Sequence, residues 1–175
     1  MSELASKGKE RTKQSPSLKA RALRLLSLRE YSRKGLAAKL AESEARWAKL
    51  GSEQVDQSSE TTSVQITAVL DDFEARGWLS DERFAEALVR KQSERYGTRK
   101  IANELKRAGV DGAQSATLLQ SLRETEYQRA YELWNRKYGL VAQEQTERAR
   151  QYRYLASMGF SSDVVVKVIG GQKPD

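Results

Sequence analysis

One short pattern occurs three times along this chain: a glycine, then one apolar residue, with Ser or Asp close behind. The copies lie at Gly77-Trp78, Gly109-Val110 and Gly159-Phe160. Each follows a run of apolar residues at helical spacing, where glycine favours the left-handed position that ends a helix. The apolar residue then folds back onto the last turn, and the polar residue caps the next helix. The pattern predicts a chain that ends and restarts its helices in one repeated way.

The segments between these turns have the apolar spacing of amphipathic helices. The first helix is expected to begin after Ser17, a good N-cap, and the second near Ser32. Only 2 prolines occur in the whole chain, and strong helix formers such as Leu, Ala, Glu, Lys and Arg are plentiful. The one β-rich stretch, 164–169, is short. We therefore expect an all-α protein.

Internal similarity indicates a repeated unit. Residues 22–40 align with 87–105 at a shift of 65, which pairs Ala22 with Ala87 and Leu40 with Leu105. Because a three-helix unit hides its apolar stripe poorly when alone, neighbouring units must stack. We predict three tandem three-helix repeats that form an elongated, curved array. Their predicted bounds are 18–80, 81–124 and 125–170.

Polar segments flank or interrupt these repeats. Residues 1–17 are expected to form a disordered tail, 51–63 a flexible insertion in the first repeat, and 171–175 a short C-terminal tail. No apolar run approaches the roughly 20 residues that span a bilayer. The first residues also lack the apolar core of a secretory signal. We expect a soluble, cytoplasmic monomer.

The composition argues against several kinds of catalytic site. Histidine and cysteine are both absent, which excludes Cys/His metal sites, disulfides and a Ser-His-Asp triad. The acidic pairs Asp71-Asp72 and Asp81-Glu82 could hold Mg²⁺ in principle. However, the first pair falls on the outer face of a predicted helix, and the second lies at a helix start, where acids favour the dipole. We expect no enzymatic activity, no cofactor and no metal.

Basic residues are concentrated in blocks, within a formal net charge of +7. Residues 18–40 and 90–107 each hold seven basic residues, against one and two acids respectively, whereas 67–86 holds six acids and two arginines. Alternating blocks indicate an acidic or polyanionic partner that is met at defined places. The candidate contact residues are Arg24, Arg33 and Lys34 in the first repeat, Arg95, Arg99, Lys100 and Arg107 in the second, and Arg148 and Arg153 in the third.

Direct binding of single- or double-stranded DNA is the main alternative, because the chain is basic. Tyr31, Tyr96 and Tyr138 lie near basic residues and could stack on bases. Each of them also recurs at a helix end on the apolar stripe, where a tyrosine packs its ring and exposes its hydroxyl. The acidic block 67–86 further disfavours a uniform phosphate track. A protein partner with complementary charge fits the alternation better.

Two central segments are the most characteristic in the chain: RGWLSDERFAEALVR at 76–90 and YGTRKIANELKRAGVD at 96–111. Together with 22–40 upstream and 154–169 downstream, they resemble the RecX family of bacterial regulatory proteins. The resemblance implies three three-helix repeats in a crescent-like molecule. It also implies a protein that lies in the helical groove of the RecA recombinase filament. There it would inhibit ATP hydrolysis, DNA strand exchange and repressor co-cleavage.

The first repeat departs from the pattern of the family. Its second helix should end in a short Gly-apolar turn like Gly109-Val110, but no such turn stands at the matching place. The sequence instead predicts that this helix continues through Trp47 to Leu50, before the polar insertion begins.

Overall fold

The computed structural model describes residues 16–50, 59–110 and 112–174. Within these ranges the chain forms nine α-helices and no strand, which confirms the all-α prediction. The helices are α1 (Leu18–Leu26), α2 (Arg33–Leu50), α3 (Ser59–Ala75), α4 (Asp81–Gln92), α5 (Thr98–Arg107), α6 (Gly112–Glu124), α7 (Glu126–Lys137), α8 (Gln145–Ser157) and α9 (Ser162–Ile169). We call α1–α3, α4–α6 and α7–α9 the first, second and third unit.

Each unit has its own apolar core. The first core contains residues from all three helices of its unit, and its fully buried members include Leu36, Leu40 and Phe73. The second core is built around Ile101 and Leu105, and the third around such residues as Leu155 and Phe160. Three separate clusters fit a helical repeat, in which every unit buries its own stripe and then stacks on a neighbour.

The glycine turns are helix ends, as predicted. Gly77, Gly109 and Gly159 have φ values of +68°, +81° and +90°. In each turn the N–H of the next residue donates to the carbonyl five residues earlier, at 2.8, 3.1 and 3.4 Å in chain order. Trp78 also folds back onto the last turn of α3, where its ring meets Phe73 edge-on at 5.3 Å. Satisfying the last carbonyls this way lets each helix stop abruptly.

The predicted alignment of the first helices is wrong by two residues. The first helix of each unit buries one alanine completely: Ala22, Ala85 and Ala130. Each of these alanines lies five residues after the N-cap of its helix. Ala22 therefore matches Ala85 rather than Ala87. The shift of 65 fails here because α4 has 12 residues where α1 has 9, while the connection that follows, 93–97, is one residue shorter than 27–32. The first helices therefore align from their caps, two residues away from the predicted register.

Helix α3 begins earlier than the sequence predicted. It starts at Ser59, so the last five residues of the expected insertion, 59–63, are helical. Glu60 lies in its first turn, where a carboxylate interacts favourably with the helix dipole. The remainder of that insertion, 51–58, lies outside the described residues. Before it, α2 runs to Leu50 as expected.

The described ends of the chain are both attached to the fold. Ser17 accepts a hydrogen bond from the Ala20 N–H at 3.2 Å, so it caps α1 as predicted and does not belong to a tail. Residues 1–15 lie outside the described residues. Near the C-terminus, the Tyr127 hydroxyl donates to the Gln172 carbonyl at 2.9 Å. Among the described residues, no helix is long and apolar enough to cross a membrane.

Candidate partner-binding face

The second helices of the three units, α2, α5 and α8, meet end to end and form what we call the helix row. The Gly97 N–H, at the start of α5, donates to the Met158 carbonyl at the end of α8, at 3.0 Å. The Ser32 hydroxyl, at the start of α2, donates to the Ala108 carbonyl at the end of α5, at 2.8 Å. The N-terminus of one helix thus lies beside the C-terminus of another, which brings opposite ends of two helix dipoles together.

A carboxylate from the following unit completes each of these two junctions. Asp81, at the start of α4, accepts from the Arg33 N–H at 2.7 Å. Glu126, at the start of α7, accepts from the Thr98 N–H at 2.8 Å. A carboxylate at this position satisfies a free N–H and favours the helix dipole. The structural role expected for Asp81 is therefore observed, but the helix that it caps belongs to the preceding unit.

The same geometry explains why α2 departs from the pattern. The glycine turn that ends a second helix is the surface on which the preceding unit docks. The first unit has no predecessor among the units of this chain, so α2 needs no turn and can continue to Leu50. Its extension is held to α1, because the Arg21 guanidinium donates to the Ser43 hydroxyl at 2.8 Å and to the Glu44 carboxylate.

Polar residues on α5 form an exposed stripe along the helix row. Arg99, Asn103 and Arg107 recur every four residues, and all three are exposed. The opposite side of the helix buries Ile101 and Leu105 completely or nearly so. The predicted stripe is therefore present, and its charge points away from the core.

The stripe has a counterpart on α8. The buried residues Leu105 and Leu155 occupy matching positions in the second and third units. In that register Arg153 stands where α5 carries Asn103, and it is exposed. On α2, exposed Lys34 lies beside the end of α5, since a Cβ atom at Gly109 would fall 3.0 Å from its Cδ. Cations therefore occur on all three helices of the row.

Not every predicted contact residue is free to meet a partner. Arg33 forms ion pairs with Asp71, at 2.6 Å, and with Glu74. The hydrogen bond to Asp71 raises the pKa of Arg33 above its usual value, and the nearby Glu74 carboxylate raises it further. Lys100 lies over the Tyr96 ring at 4.0 Å, and Arg95 approaches the same ring at 5.6 Å. These three cations already have intramolecular partners.

The other predicted residues are more available. The Arg99 guanidinium donates to the Ala156 carbonyl at 3.1 Å but is exposed. Four exposed arginines have side chains with no hydrogen-bond or ion-pair partner within the described part of the chain. They are Arg24 on α1, Arg107 on α5, and Arg148 and Arg153 on α8. Arg107 and Arg153 combine exposure with a place along the stripe, which makes them the strongest candidates.

Part of the alternating charge is neutralised inside the first unit. Lys19 pairs with Asp72 at 3.0 Å, and Asp72 also binds Arg76 at 2.8 Å. These contacts lower the pKa of Asp72, the hydrogen bond from Arg76 contributing most. Acids of the block 67–86 therefore neutralise Lys19 and Arg33 of the first basic block within the same molecule. Among the described residues no acidic group of three or more could hold a metal ion.

The tyrosines proposed for base stacking are packed. Tyr31 is only 9% exposed and belongs to the first core, while Tyr96 and Tyr138 pack against the second and third cores. Arg29 covers the Tyr31 ring at 4.4 Å, and Lys137 approaches Tyr138 at 5.8 Å. Packed and covered rings offer little free face to a nucleobase.

Sequence reasoning missed Arg129, which holds the second and third units together. Its guanidinium donates to the Ser93 and Tyr96 carbonyls at 2.6 and 2.7 Å, and to the Leu122 carbonyl at 2.8 Å. These carbonyls lie at the ends of α4 and α6, where a cation favours the helix dipoles. Burial lowers the pKa of Arg129, and the Glu126 carboxylate partly opposes that change.

The two later units match models of RecX domains. The model described as the second three-helix domain of RecX matches residues 80–119, and that of the third matches 124–169. A regulatory protein RecX of Leptothrix cholodnii is 42% identical over 153 residues, which cover 87% of both chains. The chain belongs to the RecX family. A second RecX relative, from Herminiimonas arsenicoxydans, is 41% identical over 83% of this chain and 85% of its own.

Solved RecX structures share the fold. The crystal structure of RecX from Lactobacillus salivarius superposes with a TM-score of 0.63 at 18% identity, over 89% of this chain and 94% of the other. A second crystal structure, of a regulatory protein RecX, gives a TM-score of 0.62 at 21% identity, over 86% and 70% of the two chains. The expected membership of the RecX family of regulatory proteins is thus confirmed.

Proposed function

We propose that the chain binds the RecA recombinase filament in its helical groove and thereby inhibits ATP hydrolysis, DNA strand exchange and repressor co-cleavage. This partner is the one that membership of the RecX family implies. The observation that best supports it is the helix row, in which each of the three second helices carries at least one exposed cation. A filament also repeats its surface at regular intervals. A series of contacts that recurs along the molecule can engage such a lattice multivalently, so individually weak contacts reinforce one another.

Inhibition would follow from bridging. A protein that contacts neighbouring recombinase subunits at once favours one spacing between them and opposes the rearrangements that strand exchange and nucleotide turnover require. The contacts proposed as most important are Arg107 and Arg153, supported by Arg99. We propose only binding contacts for these residues, with no catalytic step and no cofactor.

We expect the double variant Arg107→Glu/Arg153→Glu to bind the filament about tenfold more weakly. Both side chains are exposed and lack intramolecular partners within the described residues, so the fold should be unaffected. The measurement is a binding titration against recombinase assembled on single-stranded DNA with a slowly hydrolysed ATP analogue, together with the inhibition of ATP hydrolysis. The difference from wild type should shrink at high salt, because screening weakens the wild-type contacts.

The matched control is Arg90→Glu/Lys91→Glu on α4. This pair is also exposed and undergoes the same change in charge, but it lies on the first helix of its unit and outside the helix row. It should inhibit nearly as well as wild type. Equal loss in both variants would indicate a general effect of net charge. If Arg107→Glu/Arg153→Glu lost binding to naked DNA but inhibited at wild-type strength, the alternative of direct DNA binding would replace our proposal for these residues.

A further inference from the structure

The two junctions between units have the same arrangement of helix ends but differ in the number of contacts that hold the units together. At both, a carboxylate caps the start of a second helix, as Asp81 does for α2 and Glu126 for α5. The second junction, between the second and third units, adds the Arg129 hydrogen bonds. It also brings two backbones into direct contact, because a Cβ at Gly97 would lie 2.3 Å from the backbone of Gly159. Such close packing leaves little room for relative motion.

The first junction, between the first and second units, has no counterpart of Arg129. The matching position in α4 is Phe84, which packs against the core of the second unit. The neighbouring Arg83 reaches back instead, to the Glu30 carboxylate at 3.1 Å and to the Trp78 carbonyl at 3.1 Å. Beyond the Asp81 cap, this junction also has the Ser32 hydrogen bond to α5 and the contact of Lys34 with the turn at Gly109.

Exposure separates the two arginines further. The side chains of Arg83 and Glu30 are 42% and 33% exposed, so water and salt compete with their ion pair. Arg129 is only partly exposed, and its partners are backbone carbonyls at the ends of α4 and α6. Opening the second junction would break several charge-assisted hydrogen bonds at once, whereas opening the first would break an exposed ion pair. Trp78, in the connection before α4, is 45% exposed and shields the first junction little from water.

We propose that the molecule bends at a single hinge, where Leu79, which is buried in the first core, is joined to Ser80, the N-cap of α4. The second and third units move as one rigid body, and the first unit swings relative to them. The hinge belongs to the free chain and does not depend on which partner the helix row binds. It allows the first unit to adjust its position after the two others have docked.

The chain contains no cysteine, so pairs of spin labels can be introduced without removing native thiols. One pair, at Ala38 and Asn103, spans the first junction, and another, at Asn103 and Thr146, spans the second; all three positions are exposed. A third pair within the second unit, at Lys91 and Gln114, gives the width that the labels alone produce. Pulsed dipolar spectroscopy on the free full-length chain then measures each distance distribution.

We expect the distribution across the first junction to be about twice as wide as the one across the second, whose width should match the reference pair. Arg129→Lys, which retains the charge but cannot reach several carbonyls at once, should broaden the second distribution and leave the reference unchanged. Equal widths across both junctions in the wild-type chain would overturn the hinge. So would a second junction wider than the first, and both results are independent of whether the Arg129 variant folds.

Discussion

Replacing Arg129 with Met should lower the free energy of unfolding by about 3 kcal/mol or more. The substitution keeps much of the length of the side chain but removes every donor. The carbonyls of Ser93, Tyr96 and Leu122 would then lose the guanidinium that satisfies them. The Glu126 carboxylate, which is 6% exposed, would lose its nearby cation as well. Urea denaturation followed by the helical circular dichroism signal measures the change.

Arg83→Met is the matched control for this prediction. Arg83 also links two units, but its side chain is 42% exposed and its ion-pair partner Glu30 is 33% exposed. Its removal should cost less than about 1 kcal/mol. Similar losses for the two variants would mean that the buried carbonyl contacts of Arg129 do not stabilise the second junction more than an exposed ion pair stabilises the first.

Replacing Gly159 with Val should cost about 3 kcal/mol, because two penalties combine. The residue has a φ of +90°, which a β-branched side chain adopts only with strain. The new Cβ would also lie 2.4 Å from the Cβ of Lys100 and 2.8 Å from its backbone nitrogen. Since that nitrogen is part of α5, the second and third units would have to separate to relieve the overlap. Thermal or urea unfolding of the variant provides the measurement.

Gly77→Val separates the two penalties. Gly77 has a similar left-handed φ of +68°, but no atom lies within 4 Å of the place where a Cβ would stand. Only backbone strain remains, so the expected loss is roughly 1 kcal/mol. If both valine variants were destabilised equally, the contact between Gly159 and α5 would not contribute to stability, and the close approach of the two units would need another explanation.

Much of the fold could be predicted from local signals. A left-handed glycine and the apolar residue after it act within one turn, so Gly77 and Gly109 could be recognised from neighbouring residues alone. The same holds for Ser17 as the N-cap of α1. The length of α4 could not be read so directly, because the residues that end a helix without glycine resemble those that continue it. The shift of 65 consequently misaligned the first helices by two residues.

The contacts between units lay beyond what the sequence could give. Arg129 occurs in a helix rich in charged residues, where an arginine normally faces water. Only the arrangement of two units places carbonyls around it. Likewise, Gln151 occupies the position at which α5 carries Ile101, and it is buried because the Trp134 indole donates to its side-chain oxygen at 2.9 Å. Burial of a polar group depends on a partner distant in sequence, which periodicity does not reveal.

The candidate face was only partly predictable for the same reason. The stripe of Arg99, Asn103 and Arg107 follows from helical periodicity and could be placed on one side of α5. Ion pairing across helices does not follow from periodicity, so the sequence alone predicts Arg33 as a contact residue although it binds two carboxylates of α3. Charge counted along the chain does not distinguish a cation that faces an acid of the same molecule from one that is available to a partner.

The extension of α2 to Leu50 determines at which end of the array a further unit could be added. Every junction needs a glycine-ended helix on the later unit and an accessible helix start on the earlier one. In the first unit Glu44 stands at the place that matches Gly109, and α2 continues through it to Leu50, so a preceding unit could not dock there in the same manner. The start of α8 remains accessible, since Gln145 and Thr146 are exposed. To lengthen this protein, a copy of the second unit should therefore be added after Ile169. The glycine turn of the added unit could then contact the start of α8, as Gly109 contacts the start of α2.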